Sequence, residues 1–225
     1  MKFFLKLIIF TLFIIFKAFS FDAKIFVAPG SWLEMEQEQK DFYMKGALDA
    51  WGYFVWNSTP DTQRDLFISQ YRTCIEKESS GFQKNLFLYG WEEGESAASD
   101  LYKWVNSTCT LLLEKKEFQN IKIQKNKPLE SVTRNEWTQL SNTNKSFYVS
   151  GYIDGHLDIT RTVINDSNAP KDMIKYYQEM SNEVFRCFTN KGLDNTIPFI
   201  LSREINDSYP IPWNISFSLG AFCRD

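Results

Sequence analysis

The chain contains an internal repeat, and this repeat restricts the possible folds more than any other feature of the sequence. The stretch SWLEMEQEQKDFYMKGALDAWGYF at 31–54 aligns without a gap with EWTQLSNTNKSFYVSGYIDGHLDI at 136–159. Six of the first twenty positions are identical, whereas chance would give about one. The same folding unit therefore occurs twice. The identical pairs are Trp32 and Trp137, Lys40 and Lys145, Phe42 and Phe147, Tyr43 and Tyr148, Gly46 and Gly151, and Asp49 and Asp154.

Apolar and small residues within the repeat recur every four positions, which is the period of a helix and not of a strand. The repeat therefore predicts an all-α protein in which each copy has a long helix preceded by a short one at the tryptophan. Ser31 and Glu34 have the form of a capping box at the start of the first short helix. The positions that share this spacing are Phe42, Gly46, Ala50 and Phe54, and in the second stretch Phe147, Gly151 and Gly155.

Both copies keep small residues at two places in the long helix, Gly46 and Ala50 in the first and Gly151 and Gly155 in the second. Glycine inside a helix costs about 1 kcal/mol relative to alanine. Retaining small residues twice therefore predicts the close approach of another helix or an aromatic ring. Dimerisation of membrane helices is the alternative, but Asp154 lies between the two glycines and the segment is polar.

The paired aspartates are predicted to accept hydrogen bonds from backbone, tyrosine or tryptophan donors inside the fold, and contact with a ligand is the alternative. We therefore interpret the shared residues as a structural signature and not as a catalytic site. Its members are Trp32, Tyr43, Gly46, Asp49, Trp137, Tyr148, Gly151, Asp154 and Gly155.

Four cysteines follow the two stretches, and in secreted proteins an even number of cysteines is typical of disulfides. Three pairings are possible. Cys74 and Cys109 have nearly the same separation as Cys187 and Cys223, which favours one equivalent disulfide in each copy. The sequence thus predicts two tandem small helical domains, each with one disulfide.

The N-terminus has the features of a secretory signal peptide: basic Lys2 and Lys6, a short apolar run, and small residues before a cleavage site after Ser20. An uncleaved membrane anchor is the alternative, but the apolar run is shorter than the roughly 20 residues that span a bilayer. We therefore predict a periplasmic or secreted protein with no stable membrane insertion after cleavage. The predicted division is 1–20 for the signal peptide, 24–124 for copy one, 125–130 for a linker and 131–225 for copy two.

Composition excludes several classes of function. The mature chain carries 22 basic and 28 acidic side chains without a basic cluster, which disfavours binding to nucleic acid. The single histidine, His156, aligns with Trp51 and has neither a second metal ligand nor a nucleophile beside it in the sequence. We therefore predict no catalytic residues, no metal, no cofactor and no enzymatic activity. A hydrolase that uses carboxylates alone is the remaining enzymatic alternative.

The second copy resembles the N-terminal signature of the Tai family, the amidase-immunity proteins of type VI secretion systems. Seven residues carry the resemblance: Trp137, Leu140, Tyr148, Gly151, Tyr152, Asp154 and Gly155. The first copy matches through Trp32, Met35, Tyr43, Gly46 and Asp49, and has Ala50 in place of the second glycine. The tandem duplication is a departure, because such proteins usually have one copy.

The resemblance implies an exported helical binding protein that neutralises a cell-wall amidase by occluding its active-site groove. A protein partner is therefore expected, a peptidoglycan amidase in particular, with Trp51, Tyr53 or Tyr152 as candidate anchors. A periplasmic holdase-type stress chaperone, or another secreted interaction protein, is the alternative. A chaperone would bind many clients through apolar surface exposed on acidification, whereas an immunity-like protein would form one stoichiometric complex.

Overall fold

The computed structural model describes residues 29–85, 96–113, 121–125, 127–167 and 169–224. This part of the chain folds into helices and contains no strand, which confirms the all-α prediction. The predicted signal peptide, 1–20, lies outside the described residues.

The helices follow the order of the repeat, with a short helix and then a long one at the start of each copy. In copy one they are α1 (Pro29–Glu34), α2 (Gln37–Ser58), α3 (Asp61–Asn85) and α4 (Ala97–Leu113). In copy two they are α5 (Arg134–Gln139), α6 (Asn142–Asn165), α7 (Lys171–Lys191), α8 (Leu193–Ser202) and α9 (Ile211–Arg224).

Side chains at the N-termini fix where several helices begin. Glu36 caps α2, and Ser141, its equivalent in the repeat, caps α6 by accepting from the backbone N–H of Asn144. Thr133 and Glu136 form a capping box at the start of α5. The capping box predicted at Ser31 is wrong, because α1 begins at Pro29 and Ser31 lies inside the helix.

The two disulfides join equivalent helices, which confirms the predicted pairing. Cys74 of α3 is bonded to Cys109 of α4, and Cys187 of α7 is bonded to Cys223 of α9. Each copy therefore has its third major helix tied to its last. Disulfides of this kind are typical of proteins outside the reducing cytosol.

The long helices α2 and α6 pack directly against each other at the glycines of the repeat. A Cβ atom added to Gly46 would lie 1.9 Å from the carbonyl oxygen of Tyr148. A Cβ atom added to Gly151 would lie 1.9 Å from the carbonyl oxygen of Tyr43. The predicted close approach at these positions is confirmed, and what approaches each glycine is the backbone of the equivalent helix in the other copy.

The identical tyrosines and aspartates link the two copies in the same crossed manner. The Tyr43 hydroxyl donates to the carboxylate of Asp154, and the Tyr148 hydroxyl donates to that of Asp49. The Asp49 carboxylate also accepts from the backbone N–H of Ser131 at 2.8 Å and from its hydroxyl at 2.7 Å. The prediction of a structural role for the two aspartates is confirmed by these buried partners.

Tryptophan and lysine complete the signature within each copy. The rings of Trp32 and Tyr43 meet edge to face with centroids 5.8 Å apart, and those of Trp137 and Tyr148 do so at 5.5 Å. The ammonium groups of Lys40 and Lys145 lie 5.8 and 5.6 Å from the centres of the corresponding tryptophan rings. The six identities of the repeat thus describe one contact made twice, around an approximate two-fold axis between α2 and α6.

Each apolar core contains residues from both copies. Ile159 of α6 is buried in the core of copy one, with Phe147 and Val163 packed at its edge. Ala50 of α2 is buried in the core of copy two, with Phe42 packed at its edge. The division into copy one, 24–124, and copy two, 131–225, remains a prediction from the repeat. The apolar cores do not follow this division, because each contains residues of both copies.

Part of the segment predicted as a linker, 125–130, contacts copy one. Leu129 is buried against Gly52 of α2. The Arg72 guanidinium donates to the carbonyl oxygens of Lys127 at 2.9 Å and Pro128 at 2.7 Å.

Within the described ranges, none of the helices has the length and apolar character that crossing a membrane would require.

Candidate functional site

An open cleft of about 900 Å³, which we call the cleft of copy two, lies between the helices of copy two and the C-terminal part of α2. Its walls come from the C-terminal part of α2, from α7 and α9, and from His156 of α6. A cleft of this size is within the range of ligand sites, roughly 300–1,000 Å³. Because it runs along the Cys187–Cys223 disulfide, the covalent link between α7 and α9 forms part of its wall.

Aromatic and aliphatic side chains form one part of the wall. The rings of Phe54 and Tyr177 face each other with centroids 5.7 Å apart across α2 and α7. Met180, Val184 and Leu219 add aliphatic surface from α7 and α9.

Two large aromatic side chains of the wall are exposed to solvent. Tyr176 is 62% exposed and Phe217 is 52% exposed. Tyr209, 38% exposed, packs against Phe217 with ring centroids 5.3 Å apart. We call these three residues the aromatic rim: two of them line the cleft, and Tyr209 adds exposed aromatic surface next to Phe217.

The equivalent region of copy one is filled by aromatic side chains. Alignment of Cys74 with Cys187 places Tyr71 opposite Val184 and Phe67 opposite Met180. In copy one, Tyr71 packs against Phe67 and Trp51, with ring centroids 4.5 and 4.4 Å apart. Trp51 and Tyr71 are buried there. The fold is therefore able to close this space, and copy two leaves it open.

Two further replacements enlarge the difference between the copies. His156 stands in copy two where copy one has Trp51, as the ungapped repeat shows. Ser216 precedes Cys223 by the same number of residues as Tyr102 precedes Cys109. The Tyr102 hydroxyl reaches the carbonyl oxygen of Ala47 at 2.6 Å, whereas Ser216 lines the open cleft. The smaller side chains at these positions account for the cleft.

His156 contributes an uncharged surface to the cleft near neutral pH. Burial lowers the pKa of its imidazole from 6.5 to about 4. Its ring is stacked parallel to that of Tyr152, with centroids 6.4 Å apart.

The signature residues predicted from the repeat lie between the copies, and none of them lines the cleft. Of the three candidate anchors, Tyr53 lines the cleft, whereas Trp51 and Tyr152 are buried and cannot serve as exposed anchors. Sequence reasoning missed the aromatic rim and most of the wall. The signal in the sequence is the difference in side-chain size between the copies at otherwise equivalent positions, such as His156 against Trp51.

No family model, no curated protein and no solved structure matches the chain. Among the residues that the structure describes, no group of three or more His, Cys, Asp or Glu side chains is arranged to hold a metal ion.

The buried Asp49 carboxylate gives a testable dependence of stability on pH. Burial raises its pKa from 3.8 to about 7, against the effect of its hydrogen bonds from Tyr148 and Ser131. Between pH 4 and 7 the folded state therefore binds more protons than the unfolded state, and this carboxyl lowers the free energy of unfolding as pH rises. His156 has the opposite effect, because the unfolded imidazole takes up a proton first as pH falls from 6.5 towards 4.

We expect Asp49→Asn and His156→Gln to change the pH profile in opposite directions. Relative to the parent protein, Asp49→Asn should gain up to about 4 kcal/mol in unfolding free energy between pH 4 and 8. His156→Gln should gain relative stability as pH falls from 7 to 4. Urea denaturation at several pH values across this range measures how the unfolding free energy of each variant depends on pH. Parallel profiles for the parent and both variants would contradict the assignment.

Proposed function

We propose that this protein is an exported binding protein that recognises a protein partner through the aromatic rim and the adjoining cleft of copy two. The observation that carries the proposal is the exposure of Tyr176 and Phe217 beside an open cleft. Tyrosine and other aromatic side chains often supply most of the binding energy of an interface when they enter a pocket on the partner. Exposed apolar surface of this kind commonly marks an interaction site.

The two disulfides support a role outside the reducing cytosol. The sequence features at the N-terminus add export to the periplasm or the medium as the proposed route. Under this proposal copy one, with its closed aromatic core, supports copy two through α2 and α6. Most of the binding surface then comes from copy two, and the end of α2 completes the cleft.

The resemblance to the Tai family supports a more specific form of the proposal. In that form the partner is a cell-wall amidase, and the protein neutralises the enzyme by covering its active-site groove. The second copy, which carries the resemblance more fully, is also the copy with the cleft and the aromatic rim. Occlusion requires a tight stoichiometric complex and no chemistry from the inhibitor.

The first test is to capture and then quantify the partner. The oxidised mature chain is exposed to periplasmic and secreted extracts, and any single stoichiometric partner is purified for titration. We expect the double variant Tyr176→Ala, Phe217→Ala to weaken this complex about 100-fold, because each rim side chain acts as an anchor. Leu66→Ala is the matched control, since Leu66 is a 41% exposed apolar side chain on α3 of copy one.

The outcomes separate the candidate functions. A stoichiometric amidase complex that depends on the aromatic rim supports the immunity-like form. Many weak clients, bound equally by the parent and the rim variant, would favour the holdase alternative. A single complex that the rim variant leaves unchanged would contradict the proposed surface.

A further inference from the structure

We infer that the cleft of copy two binds a small amphiphile with an apolar body and a carboxylate at one end, such as a long-chain carboxylate. This inference rests on the proposed function in one respect, because both assign binding to the same cleft. It adds the chemical class of a small-molecule ligand and restricts the site to copy two.

The comparison of the copies is the first reason to treat the cleft as a ligand site. The same arrangement of helices closes the space in copy one with Trp51, Phe67 and Tyr71. Copy two has His156, Met180 and Val184 at these positions, and all three line the cleft. Leaving apolar side chains without neighbours forfeits the packing contacts of a closed core. A bound apolar body would restore those contacts.

The second reason is the apolar character of the wall at one end of the cleft. Phe54 and Tyr177 lie across from each other there. Tyr176 and Tyr177 belong to the first two turns of α7, whose residues continue along the wall through Met180 and Val184 to Lys191. At 1.5 Å per residue the distance along α7 from Tyr177 to Lys191 is about 20 Å. The wall is therefore elongated and suits a chain-like ligand.

The third reason is the concentration of positive charge at the other end. Arg186 and Lys191 of α7 and Arg224 of α9 line the cleft near the disulfide. The Lys191 ammonium donates to the carbonyl oxygen of Phe222 at 2.6 Å, which fixes its position with further N–H groups to donate. The Arg224 Nε donates to the carbonyl oxygen of Gly220 at 3.1 Å, which likewise orients its guanidinium.

The charge of the cleft differs in sign from that of the whole chain. Among the described residues, three cationic side chains line it against one carboxylate, that of Glu183. The mature chain has 22 basic and 28 acidic side chains. His156 adds no charge to the cleft near neutral pH, because burial lowers the pKa of its imidazole to about 4. A carboxylate head group pairs with this end, and guanidinium groups bind carboxylates especially well.

The test compares two probes with the same chain and opposite head groups. Decanoate and decyltrimethylammonium are titrated into the oxidised mature protein by calorimetry, each below the concentration at which it forms micelles. We expect one decanoate per protein, bound at least 10-fold more tightly than the cation. Absence of decanoate binding, or equal binding of both probes, would overturn the inference.

Two variants with a matched control test where the probe binds. Met180→Phe with Val184→Tyr installs the copy-one residues and should abolish decanoate binding, while thermal unfolding shows that the fold is kept. Arg186→Gln should weaken decanoate about 10-fold, whereas Lys175→Gln, which alters an exposed cation of α7 that pairs with Glu179 outside the cleft, should leave it unchanged. Unaltered decanoate affinity in Arg186→Gln would contradict the assigned head-group site.

The result is separable from that of the partner experiment. Decanoate binding without any stoichiometric protein partner would support this inference and count against the proposed function. A protein complex that depends on the aromatic rim, without decanoate binding, would support the proposed function and overturn this inference.

Discussion

Replacing Gly46 with alanine is expected to destabilise the whole protein strongly. The added methyl group would lie 1.9 Å from the carbonyl oxygen of Tyr148 and 2.9 Å from the backbone nitrogen of Tyr152. These are backbone atoms of α6, so α2 and α6 must separate as whole helices to accommodate the substitution. Gly151→Ala should have the same effect, because its methyl group would meet the carbonyl oxygen of Tyr43 at 1.9 Å.

The expected loss of unfolding free energy exceeds about 4 kcal/mol, the range of exceptional single substitutions. Separation of the helices also weakens the buried hydrogen bonds from Tyr43 to Asp154 and from Tyr148 to Asp49. Since small domains have total stabilities of only about 5–15 kcal/mol, a loss of this size removes a large part of the stability and lowers the unfolding temperature strongly. Thermal unfolding followed by circular dichroism measures the effect.

Gly220→Ala is the control for the glycine experiment. Gly220 lies inside α9, and a methyl group there would have only the end of the Arg224 side chain nearby, at 4.0 Å. We expect this variant to be as stable as the parent or more stable by up to about 1 kcal/mol, from helix propensity alone. A Gly46→Ala protein that unfolds at the temperature of the Gly220→Ala protein would contradict the close contact between α2 and α6.

Removing the disulfide of copy two is expected to destabilise the whole protein and not copy two alone. The double substitution Cys187→Ser, Cys223→Ser opens a loop of 36 residues, for which the chain-entropy model gives about 4 kcal/mol. Because Ile159 completes the core of copy one and Ala50 that of copy two, unfolding of one copy exposes part of the other. We therefore expect a single transition at a lower temperature.

Calorimetry together with separate probes of the two copies checks this expectation. Cys74→Ser, Cys109→Ser is the matched control, because its loop of 35 residues is almost the same length, and it should lower the same single transition by a similar amount. Two separated transitions, with copy one melting at the temperature of the parent, would show that the copies are independent domains. That outcome would agree with the sequence-based prediction of two tandem domains, each with one disulfide.

Much of the fold could be predicted because its signals are local or periodic. Helical spacing of apolar residues predicted α2 and α6, and the nearly equal cysteine separations predicted the Cys74–Cys109 and Cys187–Cys223 pairs. The cost of glycine within a helix predicted a close contact at Gly46 and Gly151. Boundaries were less secure, as the misplaced capping box at Ser31 shows, because a capping sequence does not by itself fix where a helix begins.

The candidate site was much less predictable from the sequence. Its wall combines Phe54 of α2, His156 of α6, Val184 of α7 and Leu219 of α9, which are far apart in the chain. Each is an ordinary core or surface residue when considered alone. The difference in side-chain volume between Tyr71 and Val184 becomes an open space only when the neighbouring helices are in place.

The sequence by itself determined that the protein is helical, that its unit is duplicated, and that small residues in the long helices must meet something closely. Only the tertiary structure decided that Gly46 meets the backbone of α6 and Gly151 that of α2, so that each copy completes the core of the other. Periodicity and spacing show which positions of a helix must be buried or small. Which segment packs against those positions depends on contacts between distant parts of the chain. For the same physical reason, two related sequences produced a closed aromatic core in one copy and an open cleft in the other.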